Sequence, residues 1–92
     1  MKSEIIIEVE KALNVFRGAI TDSLSIEEKQ DFENLAAITD KILQTHEENN
    51  INELKETLGG FTQKVSDSYS KWPEQFKGLS AAIRALEKEI IT

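Results

Sequence analysis

Residues 25–65, SIEEKQDFENLAAITDKILQTHEENNINELKETLGGFTQKV, decide the fold. Ser25 and Glu28 stand at capping-box spacing, in which a serine oxygen accepts the third helical N–H and the glutamate reaches back to the serine N–H. Leu24, one residue earlier, is positioned as a hydrophobic staple. A helix from this start runs to about Glu47, with Phe32, Leu35, Ile38 and Ile42 inward and Ala36 and Leu43 beside them. Asn49 and Asn50 end it. Asn50 and Glu53 repeat the cap spacing, so a further helix begins within a few residues, and a connection that short forces the two to lie antiparallel.

The second helix carries Ile51, Leu54, Leu58, Phe61 and Val65 at alternating steps of three and four. That spacing puts all five on one narrow face, and its period of about 3.5 favours shallow left-handed packing between helices. Gly59 and Gly60 interrupt it with two residues that each cost about 1 kcal/mol relative to alanine in a helix. Leu58, Phe61 and Val65 stay in phase across the pair, which favours one continuous helix with small residues where a neighbour approaches. A break into two short helices is the alternative.

The same stripe recurs on both sides of this hairpin. Ile6, Val9, Leu13, Phe16 and Ile20 mark a first helix, capped by Ser3 and running to about Thr21, whose apolar arc Ile5, Ala12, Val15 and Ala19 widen toward a second neighbour. Phe76, Leu79, Ile83, Leu86 and Ile90 mark a last helix from about Pro73 to Ile90. Trp72-Pro73 sets its start, because proline disfavours helical angles in the residue before it and suits the first helical position. The expectation is a single all-α domain over residues 1–92, an antiparallel up-down-up-down four-helix bundle. Its helices have roughly 18–21 residues, about 27–31 Å each. A three-helix bundle or a dimer of helical hairpins is the alternative.

Charge is split along the chain. Residues 1–49 hold five bases against eleven acids, whereas residues 50–92 hold six of each, so the net −6 belongs to the first half. Nucleic acid needs positive charge over its phosphates, and anionic membranes need a basic face. Both are disfavoured as partners. With no cysteine and no apolar run long enough for a signal peptide or a membrane span, the expected setting is the cytoplasm.

No residue pattern points to catalysis, a cofactor or a metal. His46 is the one histidine, and bundle metal sites need several ligands from more than one helix. A phosphotransfer role is opposed by Glu47 and Glu48, which would repel phosphate. Gly59-Gly60 lacks the lysine and hydroxyl residue of a phosphate loop, and Asp22-Ser23-Leu24-Ser25 lacks the alternating ligands and glycine of an EF-hand. The expectation is a non-enzyme, a protein-interaction module such as a small bacterial regulator or an immunity-type inhibitor of a basic partner.

Candidate contacts with that partner are Glu27, Glu28, Asp31 and Glu33 on the acidic second helix, with Tyr69 and Trp72 at the corner joining helices 3 and 4, where Phe61 and Phe76 also gather. Aromatics dominate both cores and interfaces, so closing the core is the competing role for Trp72. In an even-numbered bundle both termini share one end, where Ile5, Ile7, Ile90 and Ile91 are candidate contacts of a homodimer.

Overall fold

The computed structural model describes residues 3–67 and 72–91, with the side chain of Ile91 left out. Four helices follow one another: α1 (Glu4–Arg17), α2 (Ile26–Glu47), α3 (Ile51–Asp67) and α4 (Gln75–Ile91). They form an antiparallel four-helix bundle in which α1 packs on α4, α2 on α3 and α1 on α2. The seam between α3 and α4 is the loosest between consecutive helices.

Local chemistry explains the ends. Ser3 Oγ accepts from the Ile6 N–H and starts α1. Around α2 the capping box is complete: Ser25 Oγ accepts from the Glu28 N–H at 3.1 Å, and Glu28 Oε1 accepts from the Ser25 N–H at 3.3 Å. Leu24 packs against the core, but the fourth helical position is Lys29, so the staple has no apolar partner there. At the other end Asn49 turns left-handed at φ 57°. The Asn50 N–H then reaches the Thr45 carbonyl and the Asn49 N–H the His46 carbonyl, the paired bonds of a Schellman stop. Asn50 at once caps α3, its Oδ1 accepting from the Glu53 N–H while its Nδ2 donates to the Glu53 carboxylate.

Two boundaries depart from expectation. The first helix stops at Arg17, four residues before Thr21. Gly18 caps it, and Ala19 and Ile20 donate three residues back, to Phe16 and Arg17, so the chain tightens into turns while Ile20 still packs on the core. The last helix starts at Gln75 rather than Pro73, because Phe76 and Lys77 donate to the Pro73 and Glu74 carbonyls in a tight three-residue lead-in. The helices are therefore unequal, with 14, 22, 17 and 17 residues.

The core comes from the expected stripes. Ile6, Val9, Leu13 and Phe16 of α1, Leu54, Leu58 and Phe61 of α3, and Leu79, Ile83 and Leu86 of α4 are buried, with Val65, Phe76 and Ile90 packed partly against them. Helix α2 contributes Phe32, Leu35, Ala36 and Ile42, but its stripe is completed by Thr39 and Thr45, with Ile38 and Leu43 only at the margin. Each buried threonine satisfies its own hydroxyl, Thr39 donating to the Leu35 carbonyl at 2.9 Å and Thr45 to Lys41 at 2.9 Å. Helix α3 is continuous through Gly59 and Gly60. A methyl group at either glycine would meet nothing within 4 Å, so close approach of a neighbour is not the reason for them. Val15, expected to widen the buried arc of α1, is 58% exposed.

Candidate interaction surfaces

The acids of the first half lie on the outside of α1, α2 and the turns. Glu4, Glu8, Glu27, Glu33, Asp40, Glu47 and Glu48 are exposed. Of the four acids expected to meet a partner, Glu27 and Glu33 face solvent. Glu28 is committed to the capping box, and Asp31 is half-buried against Lys64 of α3 at 2.9 Å. Arg17 of α1 is bonded to Asp40 of α2, and Lys41 of α2 approaches Glu53 of α3 at 3.4 Å. These pairs tie neighbouring helices together and leave the rim of the acidic surface to glutamates.

Asp22 and Lys29 form an exposed pair beside the α2 start, at 2.9 Å. The hydrogen bond from Lys29, and then its charge, holds the Asp22 carboxyl below its ordinary value, and the same contact raises the Lys29 ammonium above its own.

Trp72 sits where three helices meet. Its ring stacks on Phe76 at 5.0 Å and on Phe32 at 5.5 Å, and lies tilted to Phe16 at 6.3 Å, so its faces close one end of the core. Phe61, expected in the same group, is buried in the core further along α3. Tyr69 lies outside the described residues.

At the end holding both termini, Ile5 and Ile90 are half-buried against the core and Ile7 is 40% exposed. The Ile91 side chain lies outside the described residues. Beside Ile5, a shallow depression between α1 and α4 is lined by Ala12, Val15, Gly78, Ala81 and Ala85. The small side chains there leave a flat, weakly apolar face.

A deeper feature was not foreseen from the sequence. Between α3 and α4 runs a groove of about 490 Å³ lined by Phe61, Val65 and Ile83, with Thr62, Ser66, Ser80, Arg84, Glu87 and Lys88 around them. Phe61 and Ile83 are 4% and 2% exposed, so the groove has a closed apolar floor. The one sequence signal was Arg84 with Lys88, two like charges one turn apart on α4.

His46 is half-buried in the last turn of α2. Among the described residues no three histidines or carboxylates gather as a metal would require, and no helix is long and apolar enough to cross a membrane. No protein-family model matches the chain, and neither a curated protein nor a solved structure does.

Proposed function

We propose that the chain is a small cytoplasmic, non-catalytic protein-interaction module whose acidic α1–α2 surface covers a basic partner, in the manner of a small regulator or an immunity-type inhibitor. The observation that carries this reading is the position of the acids. Glu4, Glu8, Glu27, Glu33, Glu47 and Glu48 are exposed on the half of the chain that holds the whole net charge of −6. A surface of net negative charge speeds encounter with an oppositely charged partner, an effect that fades with salt. The test compares capture by the wild-type chain with capture by a Glu27→Lys, Glu33→Lys variant at low and high salt. The reading expects basic proteins that the variant loses and that high salt releases. Capture indifferent to both changes would sink it.

A second reading, a homodimer, is favoured by Val15, 58% exposed beside the small residues of α4, with Ile7 of the same helix 40% exposed. Isolated apolar residues at a surface are ordinary, but a contiguous flat face marks association. Sedimentation at high micromolar concentration decides it: a monomer there removes this reading.

A further inference from the structure

Helix α3 changes character at its middle. Before the glycine pair Leu54, Thr57 and Leu58 are buried; after it Phe61 alone is, with Lys64 and Val65 half-buried and Thr62, Gln63, Ser66 and Asp67 exposed. Interior glycines weaken a helix, and packing requires neither Gly59 nor Gly60, since a methyl group at either would meet nothing within 4 Å. Across the pair, Thr62 Oγ1 donates to the Leu58 carbonyl at 3.3 Å, and back-bonding of this kind loosens the helical bond whose acceptor it shares. The groove begins at the same place. Its α3 wall is Phe61, Thr62, Val65 and Ser66, all beyond the glycines, and it lies on the seam that closes least.

We propose that residues 61–67 form a flap over the core, hinged at Gly59 and Gly60 and latched to α2 by the Lys64–Asp31 ion pair, whose lifting opens the α3–α4 groove down to Ile83. A hinge is a position that absorbs a change of backbone angles, and glycines in a helix interior do so most readily. Segments open locally where buried apolar contacts are few, and this one holds the core by a single buried ring. Within the flap Gln63 Nε2 donates to Asp67 Oδ2 at 2.9 Å, which braces the last turn so that the segment moves as a unit. Lys64 Nζ ties it to α2, donating to Asp31 Oδ1 at 2.9 Å where both side chains are 24% exposed. The flap goes beyond the acidic α1–α2 reading, and neither depends on the other.

The test is native-state amide hydrogen exchange of the full chain, read by nuclear magnetic resonance. Amides of residues 61–67 are expected to share one opening equilibrium, about tenfold or more less protected than those of Leu35 to Ile42 in the core of α2. The double variant Gly59→Ala, Gly60→Ala should raise their protection about tenfold, because the opened hinge then loses its freedom. Lys64→Met, which keeps the stem and removes the ammonium, should lower it about fivefold. The chain has no cysteine, so a single introduced thiol reports on access to the groove floor. Ile83→Cys is expected to react with a thiol reagent about tenfold faster than Ile42→Cys, the two positions being buried alike at 2% and 0% exposure. Protection at 61–67 equal to that of α2 would overturn the proposal, and so would a graded loss from Asp67 inward that the glycine substitutions leave unmoved, since that is ordinary end fraying. Equal reactivity of the two thiols would overturn it as well, by showing that no opening reaches Ile83.

Discussion

Lys64 on α3 donates to Asp31 on α2 across 2.9 Å, and both side chains are only 24% exposed. An ion pair this far from bulk water is screened less than the surface pairs, while a partner left alone there keeps its desolvation cost. Asp31→Ala is therefore expected to destabilise the fold by about 1–2 kcal/mol, more than Glu27→Ala or Glu33→Ala, which fall within about 0.5 kcal/mol. A double-mutant cycle with Lys64→Ala, read by urea unfolding, should return a coupling of about 1 kcal/mol. Additive losses would mean that the contact contributes nothing.

Gly59 and Gly60 occupy the interior of α3 with open space where a side chain would begin. Alanine at each should raise stability by about 0.5–1 kcal/mol, because it restricts the unfolded chain and adds no clash. Gly18 differs: its added carbon would lie 3.2 Å from the Val15 carbonyl oxygen, so Gly18→Ala is expected to gain less than either. Thermal unfolding of the three variants ranks them, and a loss at Gly59 or Gly60 would contradict the open geometry.

Most of the fold was legible because the stripes of α1, α3 and α4 are apolar and the ends of α2 carry cap chemistry that acts within four residues. The threonines were not. Thr39 looks polar in a composition, yet its hydroxyl is satisfied within its own helix, and the remaining methyl packs as a valine would. The early stop of α1 was hidden because Ala19 and Ile20 extend the apolar phase past Gly18, where only tertiary packing decides whether the turn stays helical. The groove was hidden for a different reason. Periodicity tells which face of each helix is apolar, but says nothing about which seam closes least, and so Phe61, Val65 and Ile83 read as core with no sign of the gap between them. Of the acids, sequence spacing exposed Glu28 as a cap, but the pairing of Asp31 with Lys64 joins residues 33 apart in sequence.

Thr39 is 0% exposed and donates only to the Leu35 carbonyl, which keeps its own helical bond if the hydroxyl is removed. Thr39→Val should thus be neutral or stabilising by up to about 1 kcal/mol, since a buried polar group is exchanged for a methyl of similar shape. Chemical unfolding of the variant measures this, and a loss above about 1 kcal/mol would show that the hydroxyl has a further role.

The Asp22–Lys29 pair sets two opposite pH dependences. Asp22 is depressed in the folded chain, so its contribution is complete above its unfolded value and is lost as pH falls through the folded one. Lys29 is raised, so its contribution is complete below its unfolded value and is lost as pH rises through the folded one. Between those limits stability should not respond to this pair, and because Asp22 is fully exposed and Lys29 partly so the effect is small and screened by salt. A carboxyl titration by nuclear magnetic resonance should place the Asp22 midpoint below that of an unpaired aspartate and move it upward in Lys29→Gln. An unmoved midpoint would show that the pair does not persist in solution.

Phe32 is 1% exposed and touches both Phe16, at 5.7 Å between ring centres, and Trp72, at 5.5 Å. It therefore joins α1, α2 and the entry to α4 through one side chain. Removing it leaves a cavity under the tryptophan, and Phe32→Ala should cost about 3–5 kcal/mol, a large part of the 5–15 kcal/mol that folded domains possess. Trp72 reports the result directly, because loss of its stacking partner exposes the indole to water and shifts its fluorescence to longer wavelength before the helices melt. Phe76→Leu, on the other face of the same ring, trims the stack while keeping apolar volume and should cost about 1–2 kcal/mol with a smaller shift. If Phe32→Ala left the tryptophan emission unchanged under native conditions, Trp72 would not be closing this end of the core, and its ring would be available for a partner instead.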